Sequence, residues 1–175
     1  KREVVYLQEN MGFYRDLTGR QMLRFIAELN GLSASEAESL IDEALKTVGL
    51  AEEEGKRIGA YSRGMRQRLG LAEVVLKRAR VAFLDEPTLG LDPEGTNRMI
   101  ALIDELSRTR GMTVIISSHL LYQVQRICHR VGIMIAGRMV AQGTMAELAR
   151  ESFGVGREQF TLEELFLKYF SEGSR

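Results

Sequence analysis

A single cysteine, Cys128, rules out an intrachain disulfide, and a lone thiol suits a reducing compartment. Charge of one sign is not in excess: 24 Lys and Arg residues balance 24 Asp and Glu, for a formal net charge of zero. That balance lacks the broad basic footprint of a nucleic-acid binder, so no nucleic-acid partner is expected. No apolar run approaches the roughly 18 residues of a membrane-spanning helix. The longest, such as Val81–Leu84 and Ile133–Ala136, have the length of strands. There is no signal-peptide pattern, internal repeat or low-complexity stretch. The chain opens on Lys1 rather than Met and runs directly into a strand-like segment, which reads as part of a longer protein. Hydrophobic residues at 45% and charged residues at 27% of 175 positions fit one ordinary folded domain.

Helix starts are marked clearly. Thr18 with Gln21, Ser33 with Glu36, Thr144 with Glu147 and Thr161 with Glu164 each have capping-box spacing. Met22, Leu23, Phe25, Ile26 and Leu29 predict the buried stripe of a first helix, stopped by Gly31. Leu40, Ile41, Leu45 and Val48 predict a second, stopped by Gly49. Residues Ala51–Ala60 are polar and irregular, and a helix is expected from about Arg63 to Lys77. Glu3–Leu7, Val81–Leu84 and Thr113–Ser117 read as strands buried on both faces. Pro93 opens a helix to about Thr109, and Leu120–His129 reads as another. Val131–Ala136 and Arg138–Gln142 predict a hairpin around Ala136-Gly137. Strands alternating with helices from residue 81 onward imply a parallel sheet with crossover helices. Residues 18–78 are almost wholly helical.

The sharpest chemical signal is Val81-Ala82-Phe83-Leu84-Asp85-Glu86. A buried strand delivers two adjacent carboxylates to its C-terminal end, where ligands sit in open α/β sheets. In a nucleotide hydrolase Asp85 can hold Mg²⁺, and Glu86 can polarise the water that attacks the γ-phosphate. Taken alone, the string also fits a strand ending in two solvated acids. Upstream, Ser62 and Gly64 stand where a helix begins, so a hydroxyl, close-packed amides and the positive helix end make an anion site. The plain alternative is a serine-capped helix with a basic first turn. Downstream, a second apolar strand runs into Ser117-Ser118-His119.

Together these segments resemble the ATP-binding cassette family along essentially the whole chain. Asp85-Glu86 resembles its Walker B motif with the catalytic glutamate, Gly90-Leu91-Asp92 its D-loop, and His119 its switch histidine. Ser62-Arg63-Gly64-Met65 resembles the signature Ser-Gly-Gly-Gln, with Arg63 and Met65 departing from it. Tyr6-Leu7-Gln8-Glu9-Asn10 resembles the Q-loop, and either Gln8 or Glu9 stands as its polar residue. The family's phosphate-cradling Gly-x-x-x-x-Gly-Lys-[Ser/Thr] is not among these 175 residues. The one Gly-Lys pair, Gly55-Lys56, is followed by Arg57 and has Leu50 where the first Gly would stand. The resemblance places that loop upstream of Lys1.

The resemblance implies an α/β, P-loop NTPase-like core with a parallel sheet and an inserted helical subdomain, its N-terminal part lying outside residues 1–175. Expected divisions are a helical subdomain over 10–78, a catalytic α/β part over 79–143 and a helical tail over 144–175. It implies ATP and Mg²⁺ as cofactors. Asp85 would be the metal ligand, and Glu86 and His119 the catalytic residues. Gln8, Glu9, Ser62, Arg63, Gly64, Met65 and Asp92 would be in nucleotide binding. It also implies a transmembrane permease and a second ATPase subunit as partners, at the cytoplasmic face of the cell membrane. The Thr161–Phe166 segment resembles the ends of exporter cassettes, and Phe13-Tyr14 with the helix from Thr18 matches the region that meets the membrane partner. A non-transport cassette ATPase acting on ribosomes or DNA, and a non-catalytic docking module, are the alternatives.

Overall fold

The computed structural model describes residues 3–153 and 160–173. They form two compact units, Lys1–Ser117 and Ser118–Arg175.

In the first unit β1 (Val4–Leu7) leads into α1 (Gly19–Leu29) and α2 (Ala34–Thr47). Two short 3-10 turns, Ala51–Glu53 and Ile58–Ala60, precede α3 (Arg63–Leu76). Then come β2 (Val81–Asp85), α4 (Pro93–Arg110) and β3 (Thr113–Ser117). Both helical caps form as the sequence predicts. The Thr18 hydroxyl accepts from the Gln21 N–H while the Gln21 side chain accepts from the Thr18 N–H, and Ser33 and Glu36 repeat the arrangement. Gly31 and Gly49 follow α1 and α2 with φ of 67° and 63°, the left-handed conformation that ends a helix.

The three strands are parallel in the order β1-β2-β3, with Tyr6 opposite Phe83 and Phe83 opposite Ile115. Parallel strands must be joined by crossovers, and α1 to α3 supply the first while α4 supplies the second. Val5, Leu7, Ala82 and Leu84 point to the covered face and are buried. The expectation of strands buried on both faces is corrected here: Val4, Tyr6, Phe83 and Ile115 are exposed. Side chains alternate with period two, and the helices of this unit cover only one of the two faces. Among the described residues β3 pairs with β2 alone.

The core is centred on α1, α2 and α3, where Leu23, Ile41, Leu45, Leu69, Leu71 and Leu76 are fully buried. Close approach of α3 to β1 depends on Gly70, where a Cβ would stand 2.6 Å from Leu7 Cδ1 and would also clash with Met11 Sδ. The stripe predicted on α1 needs one correction. Phe25 and Leu29 are exposed. Four residues apart, they form a separate row on the flank of the helix, where Phe25 packs edge-on against Tyr14 with ring centroids 5.8 Å apart.

Arg20 ties this helical region together. Its guanidinium reaches Glu38 at 2.9 Å, Asp42 at 2.5 Å and Glu54 at 2.5 Å, and these partners, Glu54 first, push its pKa further up. Hydrogen bonds to charged groups contribute about 1.5–3 kcal/mol before solvent screening, and partial exposure reduces that. We expect Arg20→Ala to lower stability by about 1–3 kcal/mol. The deficit should shrink in molar salt, which urea unfolding at low and high ionic strength would measure; an unchanged midpoint at both would remove the cluster from the stability of the fold.

The second unit holds α5 (Leu121–Ile127), β4 (Val131–Ile135), β5 (Arg138–Gly143), α6 (Met145–Phe153) and α7 (Leu162–Gly173). β4 and β5 form the predicted antiparallel hairpin. Its two turn residues, Ala136 and Gly137, have φ of 48° and 76°, the two positive values of the turn whose twist suits paired strands. Val131, Ile133, Met145, Leu148, Leu162 and Leu165 make its core. Both predicted caps form, through Thr144 with Glu147 and Thr161 with Glu164. The backbone N–H of Thr144 holds the Glu147 carboxyl below its ordinary value. Burial raises the Cys128 thiol, which is thereby kept in its unreactive form. No helix among the described residues is long and apolar enough to cross a membrane.

Candidate functional site

Because β1, β2 and β3 run parallel, their C-terminal ends share one edge of the sheet. Gln8 and Glu9 directly follow β1, Asp85 ends β2 with Glu86 next, and Ser117 ends β3 opposite Asp85. This is the edge at which open α/β sheets place their ligands. Both acids are partly exposed, so a ligand can reach them.

Glu86 stands at φ 47°. A non-glycine residue there is strained, and such strain concentrates at functional sites. The conformation is held from both sides: the Glu86 N–H donates to the Ser117 carbonyl at 2.8 Å, and its carbonyl accepts from Leu89 N–H at 3.1 Å. The chain therefore turns sharply as it leaves β2 and carries the carboxylate away from the strand direction.

Sequence reasoning missed Tyr6 as a partner of the acids. Its hydroxyl donates to Asp85 Oδ2 at 2.9 Å, and that bond raises the phenol's pKa. The signal was in the register. Tyr6 pairs with Phe83, so Asp85, two residues on, projects from the same face. Among the described residues no group of three or more His, Cys, Asp or Glu side chains could hold a metal. A hard cation here would rest on the Asp85 carboxylate, substrate phosphates and water, which is how Mg²⁺ is ordinarily held.

Ser62 caps α3 as expected, its hydroxyl accepting from Met65 N–H at 3.2 Å. Ser62 and Arg63 are exposed, while Met65 is half-buried against the core. Asp92 is the N-cap residue of α4, with Pro93 following, and its carbonyl accepts from Thr96 N–H at 2.9 Å. The signature segment and the D-loop segment meet in this unit: a Cβ on Gly64 would lie 3.5 Å from Leu91 Cδ2. His119 is exposed in the second unit, two residues beyond the end of β3.

Paired carboxylates at a parallel-sheet edge, a strained turn after them and a serine-capped helix define a nucleotide-hydrolase type of α/β protein. The comparisons make the family specific. The profile of the family described as ABC transporter matches residues 1–89, and the chain belongs to that family. It is 40% identical over 141 residues to the bacitracin transport ATP-binding protein of Bacillus licheniformis, covering 81% of this chain and 45% of that one. It is 32% identical over 170 residues to the linearmycin resistance ATP-binding protein of Bacillus subtilis, covering 95% and 54%. A solved structure described as the ATP binding subunit of an ABC transporter superposes with a TM-score of 0.80 at 28% identity, over 97% of this chain and 69% of the other. The mixed α/β fold with its parallel sheet is thus that of the ABC ATPase. The chain spans about half the length of the curated relatives it matches.

Proposed function

We propose that these residues are the hydrolytic and signature part of the nucleotide-binding subunit of an exporter-type ABC transporter, which couples ATP hydrolysis to transport. The observation that carries this reading is the pair Asp85-Glu86 at the shared C-terminal edge of the sheet, with Glu86 held at φ 47°. Bound Mg²⁺ would supply charge neutralisation of the phosphates, held by Asp85. Glu86 takes the proton from water as its oxygen bonds to the γ-phosphorus and the bond to ADP breaks. His119 contacts the γ-phosphate, and Gln8 or Glu9 reaches the metal or the attacking water. Ser62, Arg63, Gly64 and Met65 offer the α3 N-terminus to a nucleotide held by a second ATPase subunit, and Asp92 links the two sites. The named functions of the bacitracin and linearmycin relatives support export. The exposed row Tyr14, Phe25 and Leu29 suits a protein interface and would meet a transmembrane permease at the cytoplasmic face of the membrane.

The test is phosphate release. The complete ATPase should hydrolyse ATP. A polypeptide of these 175 residues has no Gly-x-x-x-x-Gly-Lys-[Ser/Thr], so it should show no turnover, because that loop does most of the phosphate positioning. Turnover by the shorter polypeptide that Glu86→Gln abolishes would refute this division of labour. Lack of turnover in the complete protein would refute the function.

A further inference from the structure

Gln67 has no part in the site as described, yet its placement is unusual. It is a polar side chain only 4% exposed, one and a half turns into α3. Its Nε2 donates to the Leu89 carbonyl at 3.4 Å, beyond the usual 2.7–3.2 Å range of such bonds. Its Oε1 is buried with no hydrogen-bond partner. The reverse amide orientation is worse, since it sets an oxygen against the Leu89 carbonyl oxygen. Half-satisfied buried amides are costly, and apolar residues of similar shape avoid the cost.

The neighbouring contacts show what Gln67 is holding. Gly90 has φ +69°, and a Cβ there would lie 2.5 Å from Arg63 Nη1 and 2.7 Å from Arg63 Cζ. The Arg63 guanidinium therefore lies over the Gly90 backbone, whose positive φ itself favours glycine. Next to it, Leu91 packs on Gly64. Three consecutive residues, Leu89, Gly90 and Leu91, thus face Gln67, Arg63 and Gly64 of one helix. Two of the three are tied back to the turn after β2, because Leu89 N–H donates to the Glu86 carbonyl at 3.1 Å and Leu91 N–H to the Thr88 carbonyl at 3.2 Å.

We infer that Gln67 and Arg63 are positioning residues: they clasp Leu89–Leu91 so that a displacement of the α3 N-terminus is passed to the turn that carries Glu86. The long Leu89 bond leaves room for the clasp to tighten, since a small approach of the segment would bring it into the usual range. This deepens the proposed function and rests on it for the catalytic consequence, while the clasp itself does not.

Two measurements separate the parts. In the complete protein, amide hydrogen exchange at Leu89 and Leu91, whose N–H groups are bonded, should speed up about tenfold in Gln67→Leu, the equivalent of one net hydrogen bond. Arg63→Ala, which removes the guanidinium from Gly90 and leaves the Gly90 backbone as it is, should do the same. Exchange in α1 and α2 should stay as it was in both. Unchanged exchange at these two amides, or equal loosening throughout the unit, would overturn the clasp. In the complete ATPase, Gln67→Leu should lower kcat about tenfold with KM for ATP unchanged, a split that general destabilisation does not produce. Faster exchange with an unaltered kcat would overturn the transmission to Glu86. If the unsubstituted ATPase shows no turnover, the functional reading fails, and the exchange result still decides the clasp.

Discussion

Glu86→Gln in the complete ATPase should reduce hydrolysis by about 10²–10⁴-fold, the usual contribution of a positioned general base, while ATP affinity changes little. The amide keeps the size of the carboxylate and can adopt the same backbone, so the turn at φ 47° and its bonds to Ser117 and Leu89 remain. What is lost is the basic oxygen. A negative charge next to the γ-phosphate is also removed, so ATP should persist longer and favour the nucleotide-bound dimer. Phosphate release, nucleotide affinity and light scattering with ATP report these three effects separately. Equal losses of affinity and turnover would assign Glu86 to binding instead. A useful contrast is Glu86→Val: a β-branched residue is a poor occupant of the left-handed region, so this variant should lose stability as well as turnover.

The helical part of the first unit was legible because its signals are local. A capping box needs only residues three apart, and all four that the spacing marks are formed. The Ala136-Gly137 turn was legible for the same reason. The strand positions could be read from their apolar runs, but their burial could not. A run such as Val81–Leu84 looks the same whether one face of its sheet is covered or two, and the cover is set by residues far away in the chain. Hence Tyr6, Phe83 and Ile115, read as core, form an exposed row across three strands.

At the site, the acids and the α3 cap were visible as motifs. Tyr6 and Gln67 were not, because their meaning is tertiary. The Tyr6 contact depends on the β1–β2 register. Gln67 in isolation is an ordinary helix residue, and becomes notable only when it is found buried with an unpartnered oxygen. Arg63 likewise reads from sequence as a phosphate attractant, whereas in the fold its guanidinium lies on Gly90.

Tyr61 should prove to be the residue on which the signature segment hangs, with Tyr61→Ala costing about 3–5 kcal/mol, as for other buried aromatics truncated to Ala. Tyr61 is 3% exposed and sits immediately before the Ser62 cap. Its hydroxyl donates to the Glu53 carbonyl at 2.9 Å. Its carbonyl accepts from Arg66 Nη1 at 2.5 Å. The ring is held so closely that a Cβ on Gly19 would lie 2.5 Å from the phenol oxygen. Truncation therefore opens a void between α1 and α3 and frees the start of the signature helix. Tyr61→Phe keeps the ring and removes one hydrogen bond, for about 1 kcal/mol. The phenol also sets an alkaline limit. Burial first, then the charge of Glu53, raises its pKa in the fold. An acid whose folded pKa is raised contributes its full stability below the unfolded value of about 10. That contribution falls as pH climbs from there through the folded value, because only the unfolded chain has given up its proton. The difference in unfolding free energy between wild type and Tyr61→Phe should thus be constant up to about pH 10 and then narrow, the Phe variant becoming relatively more stable as pH rises. Chemical unfolding of both proteins from pH 7 to 11 would measure it, and a difference that stays constant across that range would place the Tyr61 hydroxyl in a solvated environment.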